Sequence, residues 1–199
     1  YEDLKPSDIL KRKSFENAII VNSAIGGSTN APPHLQAIAR HAGVSLSVND
    51  WQKFGFEIPL LLNMQPAGDF LGEAFFRSGG VPAVMGELLE AKLLHRDTIT
   101  VSGKSTAENI EKHKSKDTNV IKKVTNPIMK NAGFIVLSGN LFDSALMKTS
   151  VISEDFRKRF LSNSGEENIL RAKAVVFEGP EDYHNRLNDP ELNIDEKTI

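Results

Sequence analysis

The sequence predicts an α/β fold in two parts, and three observations predict it. Apolar residues recur at helical spacing around Phe15–Ile25 and Leu35–Ala42, and compact apolar or β-branched runs follow at Ile58–Leu62 and Thr98–Val101. Beyond residue 123 the texture changes to short strand-like runs punctuated by Gly133, Gly139, Gly165 and Gly179. Alternating helical and strand periods point to layered α/β packing, whereas short strands between glycines point to a β-rich part with helical insertions.

Each element has a local reason. Phe15, Ala18 and Ile19 set a helix stripe that stops at Gly26-Gly27, residues that tolerate positive φ. Ser28, Thr29 and Asn30 are three N-cap types before Ala31-Pro32-Pro33, and proline is accepted in a first helical turn, so a second helix starts near residue 31 and ends at Gly43. Asn49-Asp50 caps a short helix carrying Trp51 and Phe54, and Ile58–Leu62 reads as a buried strand with Pro59 near its edge or start. Gly79-Gly80-Val81-Pro82 opens a helix through Leu88 and Leu89, Thr98–Val101 reads as a strand, and Ser105-Thr106-Ala107-Glu108 fits a capping box. From His113 to Lys123 charge replaces apolar content, which sets a boundary between 1–123 and 124–199. In the second part Phe134–Leu137, Ala145–Thr149 and Ala174–Phe177 read as strands, and Ser153 caps a helix to about Leu161.

Composition removes several functions. With 40% hydrophobic residues and 25% charged, the 199-residue chain can bury a core. A net charge of -2 without a basic block argues against nucleic acid as partner. No apolar run is long enough to span a bilayer, and the polar stretch Tyr1–Lys13 is neither a signal nor a transit peptide, so the chain reads as soluble. There is no cysteine, hence no thiolate nucleophile, no Cys-bound zinc and no iron–sulfur cluster held by this chain alone. Tyr1 and Ile199 both read as cut from something longer.

The candidate chemistry is sparse. Gly103-Lys104-Ser105 imitates the end of a phosphate loop, but the pattern needs glycine where Thr98 stands. His34 and His41 sit seven residues apart on one helix, about 10 Å along its axis, too far to share an ion unaided. Glu154-Asp155, Glu166-Glu167 and the Glu181-Asp182 pair after Gly179-Pro180 lie in polar stretches suited to solvent or to helix capping. Gly26-Gly27-Ser28-Thr29-Asn30 is the most unusual segment: small polar residues at a helix start present N–H groups and hydroxyls to one point, which suits an anionic or polyhydroxyl ligand and equally suits plain capping.

These residues also carry a resemblance. Ala24–Ala31, His34–Ala39, Gln65-Pro66-Ala67-Gly68, Gly79–Val84, Thr100–Lys104, Asn126-Pro127 and Gly139-Asn140-Leu141 together resemble the IlvD/Edd dehydratases across essentially the whole chain. Within that family, Leu141–Ala145, Met147–Ser153 and Val176–His184 look more like the sugar-acid (pentonate) branch than the branched-chain amino-acid branch. The resemblance implies a hydro-lyase that converts a 2,3-dihydroxy acid to a 2-keto acid. In such enzymes an iron–sulfur cluster acts as Lewis acid on the 3-hydroxyl, Mg²⁺ holds the carboxylate and 2-hydroxyl, and a serine alkoxide takes the C2 proton.

The family's cluster cysteines, Mg²⁺ carboxylates and carbamylated lysine lie upstream of the matched stretch, and its serine and a further glutamate lie downstream. The resemblance therefore implies that 1–123 is the last part of an N-terminal cluster-binding α/β domain and 124–199 the start of a C-terminal β-barrel domain. It carries over no catalytic or metal residue and leaves Ser28, Thr29 and Asn30 as substrate contacts. The fragment is expected to be inactive alone, with a homodimeric or homotetrameric parent in the cytoplasm, or in mitochondria if a targeting segment preceded it. Dihydroxy-acid dehydratase and a noncatalytic remnant scaffold are the alternatives.

Overall fold

A computed structural model describes residues 3–140, 143–162, 165 and 169–198. Leu141 and Phe142 of the sugar-acid motif, the pair Glu166-Glu167 and both terminal residues lie outside the described residues. The chain divides into two compact units, Tyr1–Val151 and Ile152–Ile199.

The first unit begins with α1 (Pro6–Ile9), α2 (Arg12–Ala24), α3 (Ala31–His41) and α4 (Val48–Gly55). Helix α2 buries Phe15, Ile19, Ile20 and Ala24, the i, i+4, i+5 and i+9 positions of one face. Its end is a Schellman motif: Gly27 N–H donates to Asn22 O at 2.8 Å and Gly26 N–H to Ser23 O at 3.1 Å. Gly26 takes φ +61° there, and a Cβ on it would come within 3.0 Å of Leu60. The sequence placed the cap of α4 at Asn49-Asp50, whereas the N-cap is Ser47. The Asp50 carboxylate accepts from the Ser47 N–H at 2.7 Å, so Asp50 is the third residue of the helix closing a capping box.

Arg12 joins α2 to α4. Its guanidinium donates to both Asp50 oxygens, to Glu16 Oε1 at 2.8 Å and to Ser45 O at 2.6 Å. The Arg12 hydrogen bond holds the Asp50 carboxyl below its ordinary range against the opposing effect of burial, with Ser47 assisting. A lowered folded pKa contributes stability above the unfolded value and loses it as pH falls through the folded one. Asp50→Asn should therefore flatten the loss of stability below about pH 4, measured by urea titration at stepped pH, and an unchanged acid limb would contradict this.

Then come α5 (Gly72–Arg77), α6 (Gly80–Glu90) and α7 (Thr106–Ile110). Ala83, Val84, Leu88 and Leu89 of α6 enter a core with Ile20, Ala24 and Leu61. The expected buried strand Ile58–Leu62 is extended and buried, but its partners are irregular segments: Leu60 bridges Met129 and Leu62 bridges Ile121, both antiparallel. Ser105 caps α7 as expected, accepting from Glu108 N at 3.2 Å while Glu108 Oε2 takes its N–H at 2.8 Å.

Thr98–Val101 is not a strand. The chain reverses immediately, with Thr100 N–H bonded to Lys104 O and Gly103 N–H to Thr100 O, which leaves Val101 85% exposed. The run folds back onto Lys104–Thr106, where Ile99 bridges Ser105 and the Thr106 N–H bonds Thr98 O, and a single bridge is too short to make a strand ladder.

Strands β1 (Phe134–Leu137) and β2 (Ala145–Lys148) form an antiparallel pair in the register Phe134↔Lys148 to Leu137↔Ala145. Trp51 of α4 is fully buried against Ile19 and meets Phe134 edge-on at a centroid distance of 5.3 Å. This cluster fastens the hairpin to the helices.

In the second unit, Ser153 caps α8 (Glu154–Phe160), accepting from Phe156 N at 3.1 Å, and α9 (Pro180–Arg186) follows. The strand expected at Ala174–Phe177 is absent: pairing is confined to the bridge Lys173↔Thr198, Val176 is exposed, and Phe177 turns onto Tyr183. Among the described residues the sheet is two-stranded, so the architecture is helices with a small sheet, compatible with α/β but without a barrel. No helix among them is long and apolar enough to cross a membrane.

Candidate functional site

The turn Gly26–Asn30 stands between two helices whose ends fix it. On the α2 side the Schellman motif consumes the Gly26 and Gly27 N–H groups. On the α3 side Ser28 Oγ accepts from Asn30 N at 3.1 Å, and Ser28 O accepts from Ala31 N at 3.1 Å. Asn30 is the residue before α3, yet its backbone is already helical and its side chain makes no cap bond. Capping therefore accounts for the glycines and for Ser28. It leaves the Thr29 and Asn30 side chains exposed and, among the described residues, without a hydrogen bond to the protein.

A cation reaches this turn from the hairpin. Lys148 Nζ donates to Gly26 O at 2.7 Å and to Gly27 O at 3.3 Å. Burial pushes its pKa below the ordinary lysine value. Lys148 lies in the Met147–Ser153 stretch that carries the family resemblance, but the sequence gives it no role, because its contact spans more than a hundred residues and depends on how the hairpin docks.

The adjacent cleft is chemically different. It measures about 670 Å³ and is lined by Val21, Asn22, Ile25, Leu35, Met85, Ile99 and Val101 among others. Ala31 and His34 border it, but Ser28, Thr29 and Asn30 do not. Its largely aliphatic wall offers few donors for the hydroxyls of a polyhydroxyl ligand, so the exposed turn is the better polar site.

The other sequence candidates separate. In the phosphate-loop imitation the N–H groups are already used: Thr100 by Lys104 O, Gly103 by Thr100 O, Ser105 by Glu108 and Thr106 by Thr98 O. No cradle of free donors remains to wrap a phosphate there. Asp182 accepts from Glu178 N at 3.0 Å and pairs with Arg186 at 3.0 Å, so it serves the start of α9. Glu154 and Asp155 pair with Lys158 and Arg159 one turn on, as solvated helix-face ion pairs.

Sequence reasoning missed a polar cluster beside α2. The half-buried His95 ring contacts Glu16 at 2.6 Å, and Asn17 exchanges hydrogen bonds with the His95 backbone. Arg12 and Glu16 at i, i+4 were its one local signal. Among the described residues no three His, Asp or Glu side chains converge as metal ligands, and the sequence has no cysteine. These residues do not fit an iron–sulfur cluster or a carboxylate-bound Mg²⁺ site.

Comparison with known proteins adds what the geometry lacks. Residues 1–109 match the family model for the N-terminal domain of dihydroxy-acid/6-phosphogluconate dehydratases, and residues 119–199 match that for the C-terminal domain. Over 199 residues the sequence is 54% identical to a D-xylonate dehydratase of Caulobacter vibrioides, of which it covers 33%. It is 40% identical over 199 residues to an L-arabinonate dehydratase of Rhizobium leguminosarum, covering 32%. It is 37% identical over 194 residues to a dihydroxy-acid dehydratase of Acetivibrio thermocellus, with 97% of this chain and 34% of that protein aligned. The chain thus spans about a third of the length of these relatives.

Proposed function

From the premise that this chain belongs to the dihydroxy-acid/6-phosphogluconate dehydratase family, we propose that the complete protein is a hydro-lyase acting on a pentonate, releasing water to give the 2-keto-3-deoxy acid. The observation that carries the sugar-acid reading is the step in identity, 54% to the xylonate enzyme against 37% to the Acetivibrio dihydroxy-acid enzyme and 41% to another dihydroxy-acid dehydratase. Dihydroxy-acid dehydration is the second reading, favoured by that 37% match.

Within this reading, Ser28, Thr29 and Asn30 are the chain's contribution to the substrate pocket. Thr29 and Asn30 present side chains that the fold does not consume, on a backbone fixed at both ends. A hydroxyl and a carboxamide can each donate to a carboxylate and accept from a sugar hydroxyl. Dehydratases of this family use metal cofactors. An iron–sulfur cluster and Mg²⁺, held by residues outside this chain, would supply the charge stabilisation for the departing hydroxyl. The proposed boundary between the cluster-binding part and the first part of a β-barrel domain is 123/124, close to where the two family matches leave off and resume. A homodimer or homotetramer in the cytoplasm remains part of the proposal; the named relatives are bacterial and lend a mitochondrial location no support.

The complete protein, prepared anaerobically with iron and Mg²⁺, is assayed for 2-keto acid release from D-xylonate, L-arabinonate, a hexonate and 2,3-dihydroxyisovalerate. The pentonates should turn over fastest; release from dihydroxyisovalerate alone would move the protein to the second reading, and no release from any would favour the remnant scaffold. Thr29→Ala/Asn30→Ala should raise KM for the preferred acid about 10-fold or more, the loss of one or two hydrogen bonds to a charged ligand. Unchanged kinetics would remove these residues from the pocket.

A further inference from the structure

We propose that Lys148 is a positioning residue that holds the Gly26–Asn30 turn in its binding conformation by bonding the Gly26 and Gly27 carbonyls, an inference that rests on the turn's assignment to the substrate pocket. The turn needs such an anchor. Gly26 and Gly27 have no side chains to fasten them, and Ser28, Thr29 and Asn30 are exposed. Among the hydrogen bonds of the described residues, those from Lys148 are the ones that tie residues 26–30 to a distant part of the chain.

Two features make Lys148 suited to the task. The carbonyls it bonds follow the C-terminal end of α2, where unpaired carbonyls concentrate negative potential and a cation is stabilised. Its own backbone is held rigidly, because neighbouring Thr149 donates Oγ1–H to Gly133 O at 2.8 Å and bonds Gly133 O again through its N–H at 3.0 Å. Among the described residues no carboxylate pairs with Lys148, so the turn carries net positive charge, the sign that suits a sugar acid. Ammonium is required here as a donor to two acceptors, which methionine of similar length cannot replace.

The test compares Lys148→Met, Lys148→Arg, Thr29→Ala and the Met/Ala double variant in the complete protein, with D-xylonate as probe. Lys148→Met should raise KM at least 10-fold with kcat changed less than 3-fold, and Lys148→Arg should recover most of the loss. The double variant should be little worse than the poorer single variant, because both act through one turn. Hydrogen exchange gives a readout independent of turnover: deuterium uptake in a peptide spanning 25–32 should accelerate at least 10-fold in Lys148→Met, with uptake over 134–137 unchanged.

If the Met variant is too unstable to assay, Lys148→Arg decides: restored KM and restored protection of 25–32 support the anchor, and either one lost at wild-type melting temperature overturns it. Turn variants that raise KM beside a silent Lys148→Met overturn the anchor alone. Silent turn variants overturn the pocket assignment and the anchor with it, whereas failure on D-xylonate with another acid turned over moves the same comparison to that acid.

Discussion

Trp51→Ala should cost the complete protein about 3 to 5 kcal/mol of stability, the range for truncating a buried tryptophan. Trp51 is 0% exposed and forms a buried cluster with Ile19 of α2 and Phe134 of β1, against which Leu35 of α3 and Leu146 of β2 pack. Its removal leaves a void that rigid helices on two sides cannot close, and it removes the edge-on contact with Phe134. The indole contains its own weakness, since Nε1 is buried with no hydrogen-bond partner among the described residues. Trp51→Phe keeps a ring against Phe134 and deletes that orphan donor, so it should cost less than half as much as Trp51→Ala. Urea denaturation followed by far-UV circular dichroism separates the variants. A loss below about 1 kcal/mol for Trp51→Ala would show that the hairpin is not fastened through this cluster.

Gly133→Ala should cost about 3 kcal/mol or more, the upper end of overpacking, for one added methyl group. A Cβ at Gly133 would lie 1.9 Å from Gly55 O and 2.5 Å from Gly55 C, and both atoms are backbone at the end of α4. A side chain could rotate away; these cannot. Nor can Gly133 retreat freely, because its carbonyl accepts both the N–H and the Oγ1–H of Thr149. The methyl group must push the hairpin off α4, opening the contact between Trp51 and Phe134 as it does so. Gly139→Ala is the control, for a Cβ there meets nothing within 4 Å and should change stability by less than about 0.5 kcal/mol. Equal melting temperatures for the two alanine variants would contradict the close approach.

Both changes threaten the same thing, the docking of β1 and β2 onto the helices, and that docking brings Lys148 to the turn. A hairpin shifted by even an ångström would stretch the 2.7 Å bond from Lys148 to Gly26 beyond hydrogen-bonding reach of a well-aligned donor. On the proposed roles of Lys148, Thr29 and Asn30, changes at Trp51 and Gly133 should lower both stability and substrate affinity, because one hairpin serves both.

The sequence by itself determined what depends on neighbours within a turn or two. Gly26-Gly27 ends α2, Pro32-Pro33 lies in the first turn of α3, Ser105 and Glu108 form the capping box of α7, and Ser153 starts α8. Helix caps are local hydrogen bonds, so residue type and spacing specify them. The same locality made the family motif visible in Gly26–Asn30. Strand assignments at Thr98–Val101 and Ala174–Phe177 failed because a strand needs pairing over several residues: among the described residues Ile99 meets Ser105 in a single bridge and pairing beside the second run is confined to Lys173↔Thr198, and β-branched residues do not say how far pairing will run. The α4 cap at Ser47 is itself local, since Asp50 closes its capping box from three residues on, and the tie of Asp50 to Arg12, 38 residues away, is a separate long-range contact. Lys148 stood in a recognised stretch, Met147–Ser153, without a legible role: its chemistry is set by carbonyls more than a hundred residues distant, brought to it by the packing of Trp51 on Phe134 and of Gly133 on α4. Local bonding is written in the order of residues, while long-range contacts are decided by which surfaces fit when the core closes.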